Sequence, residues 1–209
     1  SGIHLINSTN VEIKNGIISN FSAGILLTGS SNNSIHNNEV FGNSNGIALL
    51  FSSNNNNIHD NFVHDNLLAQ SVPSCGGGVI IEFNSNSNLV HDNRIDHNFC
   101  FGVVLAGAFG LGFPDQVQFN VVFDNEITNN LTGIEVVINA NNNIVKDNEI
   151  SNSQFQGIIV GFNSNSNQIT DNEIANSGNL DLFWDQTGVS NCWGDNQFTT
   201  SSPAILPSC

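Results

Sequence analysis

The feature that most constrains this chain is a phrase that it repeats. NSNSNQITDNEIANS, from Asn163 to Ser177, returns with small changes as NANNNIVKDNEISNS from Asn139, NSNSNLVHDNRIDHN from Asn84, SSNNNNIHDNFVHDN from Ser52 and GSSNNSIHNNEVFGN from Gly29. Self-similarity at a nearly fixed spacing marks units that bury their apolar sides only by stacking on their neighbours. The chain is therefore read as a solenoid.

A small residue followed by an apolar one opens each unit, at Gly2, Gly24, Gly46, Gly78, Gly102, Gly133 and Gly157, with Asp181 in the same place in the last. Successive spacings are 22, 22, 32, 24, 31, 24 and 24 residues, so the basic period is 22 to 24 and two units carry insertions. Within a unit the apolar residues alternate, as in Gly133-Ile134-Glu135-Val136, in runs too short for helices. Three short strands and three turns per unit predict an all-β fold, a parallel β-helix of about eight coils spaced about 4.8 Å apart. Residues 1–209 are expected to form one domain, with insertions at 67–76 and 106–118 and a C-terminal cap over 181–209 that places Trp193 inward.

Asn38, Asn61, Asn93, Asn125, Asn148, Asn172 and Asn196 fall at one position of successive coils, which predicts a stacked column of side-chain amides at a turn. Inward apolar columns are expected beside it. One runs through Val40, Val63, Ile95, Ile127, Ile150, Ile174 and Phe198, and another through Ile3, Ile25, Ile47, Val79, Val103, Ile134, Ile158 and Leu182.

The phrase N-x-I-x-D-N-E-I-x-N-S-x-x-G-I resembles the right-handed parallel β-helix repeats of the pectate-lyase-like superfamily, including the group named for carbohydrate binding and sugar hydrolysis. The resemblance covers essentially the whole chain and implies that fold. It does not select a function, because the superfamily holds lyases, glycosidases, epimerases, adhesins and phage tailspikes. The β-helix lyases use an arginine or lysine base near bound Ca²⁺ on the first strand of a coil, and no basic residue falls there. The NTD, DD, GHG and RIK pattern of the polygalacturonase-like enzymes and the DPHE-like signature of the alginate epimerases are absent as well.

The formal net charge is −15. Lys14, Arg94 and Lys146 are the only fixed cations, which argues against a nucleic-acid partner. Anionic polysaccharides are disfavoured unless divalent cations bridge them, whereas neutral glycans and Ca²⁺ remain open as ligands. No apolar run approaches the length of a membrane span. Cys75 and Cys100 occupy the same turn of adjacent coils, and Cys192 and Cys209 are placed to tie the tail to the last coil. Two disulfides imply an oxidising compartment, so a secreted, extracellular or cell-surface location is expected. The chain contains no methionine and begins inside a coil at Ser1-Gly2, as a trimmed product would. Acceptor sequences for N-glycosylation occur at Asn7, Asn20, Asn32 and Asn130.

The residue after each inward one on the first strand traces an outer stripe that is mostly apolar: His4, Leu26, Ala48, Ile80, Val104, Glu135, Ile159 and Phe183. Either an insertion folds over it, or Leu26, Ile80, Val104, Ile159 and Phe183 form a partner surface. The bare first rung at Ile3 is expected either to have lost residues upstream or to receive a second copy. Glu82 and Glu135 point outward from that strand and Asp115 lies in the second insertion, so these three carboxyls are the candidate catalytic groups. His36, His59 and His91 share another outward column. Neighbouring rungs suggest a metal shared by His59 and His91, against the plainer reading of stacked solvent-facing rings. The functional expectation is a secreted or cell-surface protein associated with carbohydrate, by binding more than by catalysis. The alternatives are a self-assembling structural subunit, as an oligomer or filament, and an inverting polysaccharide hydrolase.

Overall fold

The computed structural model describes residues 1–66, 76–107 and 116–209, and it is a right-handed parallel β-helix. Among the described residues there is no α-helix. The first sheet has nine strands and runs from Ile3–Ile6 through Ala23–Thr28, Asn45–Leu50, Gly77–Glu82, Phe101–Ala106, Thr132–Val137, Gln156–Val160 and Leu180–Trp184 to the tail strand Ser201–Ser202. The second and third sheets have eight and seven strands, and every pairing between coils is parallel. The expected columns are in register: Ile25, Ile47, Val79, Val103, Ile134, Ile158 and Leu182 stand opposite one another along the axis and are buried.

What lets so short a unit close on itself is the chemistry of its turns. Asp60, Asp92, Asp124, Asp147 and Asp171 each adopt φ between 52° and 56°, a left-handed conformation that Asn, Asp and Gly tolerate best. Each is followed by a buried asparagine, which explains the recurring Asp-Asn dipeptide. Asn93 illustrates how the buried turn is satisfied. Its Nδ2 donates to Asn125 Oδ1 at 3.0 Å, to the Ile58 carbonyl at 2.9 Å and to the His91 carbonyl at 2.8 Å, while its Oδ1 accepts from both the backbone N and the Nδ2 of Asn61 at 3.0 Å. Every donor and acceptor of the amide is used.

The expected column from Asn38 to Asn196 is present, with amide-to-amide links of 2.9 to 3.0 Å. Two further columns accompany it. One links Asn33, Asn56, Asn88, Asn120, Asn143, Asn167 and Asn191. The other links Asn43, Asn66, Asn98 and Asn130, and the chain then places Ser153 beside it, whose hydroxyl is buried without a partner. Their signature was in the sequence as asparagines five residues apart, for example Asn88, Asn93 and Asn98.

The coil-opening glycines answer to a close approach. A Cβ on Gly133 would lie 2.5 Å from the Gly157 carbonyl oxygen and 2.6 Å from Ile150, so no side chain fits. In the last coil Asp181 replaces glycine, and its carboxylate accepts hydrogen bonds from the backbone N of Thr199 at 2.9 Å and Thr200 at 3.1 Å. These bonds hold its carboxyl below the usual carboxylate range, although burial opposes them and is the largest single influence. The tail then turns back, Ser201–Ser202 pairs with Leu182 and Phe183, and Cys192 is bonded to Cys209 as expected. Trp193 is buried in the inward place.

Several expectations change. Phe198 is 43% exposed rather than inward, because the chain leaves the coil after Gln197, whose carbonyl accepts from Ile174 N. The second insertion is shorter than 106–118: Ala106 ends a regular strand, and Val117–Gln118 already pairs with Ala140–Asn141. Cys100 is disulfide-bonded, and Cys75, its expected partner, lies outside the described residues. Asn130 is a fully buried member of an amide column and cannot serve as a glycosylation acceptor, whereas Asn7, Asn20 and Asn32 are exposed.

Replacing Asn93 with alanine strands the Asn61 amide and the Ile58 and His91 carbonyls inside the solenoid. At about 1–3 kcal/mol per orphaned group, Asn93→Ala is expected to cost about 3 kcal/mol, read from the midpoint of guanidinium unfolding. A loss below about 1 kcal/mol would mean that water replaces the amide at no penalty.

Candidate functional site on the outer face of the first sheet

The outer stripe is assembled as its spacing implied. His4, Leu26, Ala48, Ile80, Val104, Glu135, Ile159 and Phe183 stand opposite one another on consecutive strands. Yet Ile80 and Val104 are only 7% and 4% exposed in the single chain. With Ala48, Ala106 and Val137 they form a second apolar cluster outside the main core, and Leu26 and Ile159 pack half-buried against it. The expectation of Ile80 and Val104 as a free interface is thereby corrected. Leu26, Ile159 and Phe183 retain partial exposure, and Ile3 is half-buried at the inner side of the first rung.

Two carboxyl groups sit in this apolar surrounding. Glu82 lies opposite Ala106, which lies opposite Val137, while Ile80 lies opposite Val104, which lies opposite Glu135. The glutamates therefore occupy opposite corners of a patch floored by Ile80, Val104, Ala106 and Val137. Two rungs and two residues separate them, which puts their backbones roughly 12 Å apart by strand geometry. Both are half-buried, and among the described residues neither is paired with a cation. Burial pushes the Glu135 carboxyl up to about 7, against a hydrogen bond with Thr132 that works the other way. Burial also raises the Glu82 carboxyl above its ordinary value. Asp115, the third expected carboxyl, lies outside the described residues.

Phenylalanines line both edges of the face, all exposed but the half-buried Phe83, a feature that the sequence reading missed. Phe51 and Phe83 stack at 4.7 Å beyond one end of the strands, and Phe162, 55% exposed, follows at the same turn. Beyond the other end stand Phe99 and Phe155, 48% and 52% exposed. Their signal was positional: Phe51, Phe83 and Phe162 each come five residues after a coil-opening glycine.

The histidine column assembles differently from a metal site. His36 and His59 stack at 4.8 Å with planes 7° apart, and His59 and His91 at 5.2 Å with planes 4° apart. Lone pairs lie in the ring planes, so parallel stacked rings aim them side by side instead of converging on one ion. The ring nitrogens are also engaged: Nδ1 of His59 with Asp60 and Nδ1 of His91 with Asp92, both at 2.7 Å, and Nε2 of His91 with Asn57 at 2.8 Å. Among the described residues no group of three or more His, Cys, Asp or Glu is placed to hold a metal ion. The pairing of His59 and His91 as ligands is corrected on that ground.

Because the Glu135 carboxyl is raised, the folded chain holds its proton where the unfolded chain has lost it. Stability from this group is therefore present at low pH and declines between pH 4.5 and about 7. Glu135→Gln is expected to flatten that decline and to be more stable than the parent above pH 7, in guanidinium unfolding followed across the range. An unchanged slope would show that the carboxyl is solvated.

Residues 1–113 match the family described as the right handed beta helix region. No curated protein matches the chain by sequence. Among solved structures, a mutant form of the periplasmic alginate epimerase AlgG aligns with a TM-score of 0.79 at 20% identity, over 93% of this chain and 47% of that one. The A-module of the Azotobacter vinelandii mannuronan C-5 epimerase AlgE4 gives 0.73 at 14% identity, over 93% and 55%. An alginate lyase from Paenibacillus sp. gives 0.55 at 12% identity, over 91% and 72%. The chain spans about half the length of the two epimerase structures, and at these identities the likeness is one of fold.

Proposed function

We propose, from the premise that this chain belongs to the right-handed β-helix family, that it binds a polysaccharide along the outer face of its first sheet. The observation that carries this reading is the pair of half-buried, cation-free glutamates on an apolar floor between two rows of mostly exposed phenylalanines. A protonated or half-ionised carboxyl can donate to and accept from sugar hydroxyls, and aromatic edges cover the apolar faces of sugar rings. Similar folds named as alginate epimerases and an alginate lyase support carbohydrate as the partner.

The charge distribution favours a neutral glycan. Lys14 and Lys146 lie on the second sheet and Arg94 on the third, each beside a carboxylate at 2.7, 2.7 and 3.9 Å respectively. No fixed cation faces the first sheet among its described residues, so a polyanion would meet an acidic surface without a counter-charge. The Cys192–Cys209 disulfide supports a secreted or periplasmic location, and among the described residues no helix is long and apolar enough to cross a membrane.

Self-association is the second reading, supported by the partial exposure of Leu26, Ile159 and Phe183 along one stripe. In that case the protein sediments as an oligomer that Phe183→Asp dissociates.

Affinity electrophoresis in gels containing xylan, glucomannan, mixed-linkage β-glucan or alginate tests the first reading. Retardation is expected in at least one neutral glycan, and Phe155→Ala with Phe162→Ala is expected to weaken it about tenfold, or 1.4 kcal/mol. Unretarded migration in every neutral glycan, or parental affinity in the double variant, would contradict it.

A further inference from the structure

We propose that the same face also cleaves the glycan by hydrolysis with inversion, Glu135 acting as the proton donor and Glu82 as the base. The inference rests on the glycan-binding reading above and adds chemistry to it.

Its geometric basis is the diagonal placement of the two acids. Strand pleating puts residues on the same side at every second position, so Ile80 and Glu82 of one strand, Val104 and Ala106 of the next, and Glu135 and Val137 of the third all face outward together. The glutamates stand at opposite corners, and the diagonal between them crosses Val104 and Ala106. A glutamate side chain spans several ångströms, so from backbones roughly 12 Å apart the two carboxyls reach the roughly 6.5–9.5 Å that an inverting pair needs to admit a water. They do not reach the roughly 5 Å of a retaining pair without displacing the floor.

Burial raises both carboxyls, and the roles are assigned from what adjoins each. Glu135 is bounded by Val104 on one neighbouring strand, Ile159 on the other and Val137 on its own, none of which is charged, and it hydrogen-bonds Thr132. Among the described residues Glu82, diagonally opposite, is the only other titratable group of the patch. Apolar surroundings that keep Glu135 protonated near neutral pH suit it to donate, and Glu82, bounded by the small Ala106, is the group left to take a proton.

The step balances. The Glu135 proton passes to the glycosidic oxygen as its bond to the anomeric carbon breaks. A water attacks that carbon from the opposite side and gives its proton to the Glu82 carboxylate. The products are a free alcohol end and a reducing end of inverted configuration, and solvent returns the protons to their starting places.

The test uses soluble xylan, glucomannan, galactomannan and mixed-linkage β-glucan, with binding, reducing-end release and product anomer by proton NMR measured on the same samples. The parent is expected to hydrolyse a glycan that it binds and to give the inverted anomer first, with an alkaline limb of the rate profile near pH 7. Glu135→Gln and Glu82→Gln are expected to lose about 10²-fold or more in rate, a far larger loss than any weakening of binding. Glu135→Asp, which keeps the acid on a shorter stem, should fall between, and Glu135→Gln should lack the alkaline limb. Cooperative guanidinium unfolding of each variant checks that it folds. Binding without cleavage by the parent, parental rates in the glutamine variants, or a retained anomer would each overturn this inference and leave the binding reading standing. Failure of the parent to bind any of the four glycans would remove both.

Discussion

The hydrogen bond from one asparagine amide to the next is the interaction on which this structure depends. A coil of 22 to 24 residues has to turn three times, and its turn backbone lies inside a stack where water cannot reach it. Buried amide and carbonyl groups without partners cost about 1–3 kcal/mol each, so an unsatisfied turn repeated in every coil would outweigh the burial of the isoleucines and valines beside it. Asparagine resolves this because one side chain supplies two donors and an acceptor in a planar arrangement that matches the spacing between rungs. From Asn38 to Asn172 each amide of that column donates to a carbonyl of its own turn, to one of the coil before and to the next member, and the columns through Asn33 and Asn43 share the link to the next member. The left-handed residue that precedes each column member is the backbone counterpart of the same device.

Fixed register follows, and with it the functional face. Once three turns per coil are pinned, a residue's sequence position determines its place on a column, and outward groups from distant segments are brought together at rung spacing. Glu82 and Glu135 are 53 positions apart in the chain and only two rungs apart in space. The apolar cluster of Ala48, Ile80, Val104, Ala106 and Val137 gives those carboxyls a surrounding that the acidic remainder of the surface lacks. A strongly anionic protein thereby carries one patch where burial raises both carboxyls, Glu135 to about 7.

The fold was legible because its determinants are short-range and repeated. Glycine followed by an apolar residue, alternating apolar pairs and the Asp-Asn turn fix the unit, and stacking does the rest. The same periodicity held the two additional amide columns, at a spacing of five, but a single column satisfied the reading and the others were passed over. Where the outcome departed from expectation, the deciding quantity was one that periodicity does not encode. Ring orientation separates the stacked histidines from a metal site, and the pattern gives only their column. The burial of Ile80 and Val104 depends on what packs over an outward face. Phe198 continued the inward pattern, but the chain departs to close the last coil through Asp181 and the Cys192–Cys209 disulfide.

The most direct test of the account is hydrogen exchange at the turns. The backbone N–H groups of Asn38, Asn61, Asn93, Asn125 and Asn148 donate to the Oδ1 of the next column member at 3.0 to 3.2 Å. If the amide columns bind the coils together, these turn amides exchange as slowly as the buried strand amides of Ile58, Ile95 and Ile127, through opening of the whole solenoid. Exchange of the turn amides many-fold faster than the strands that flank them would contradict it, because the turns would then open one at a time without the columns holding them.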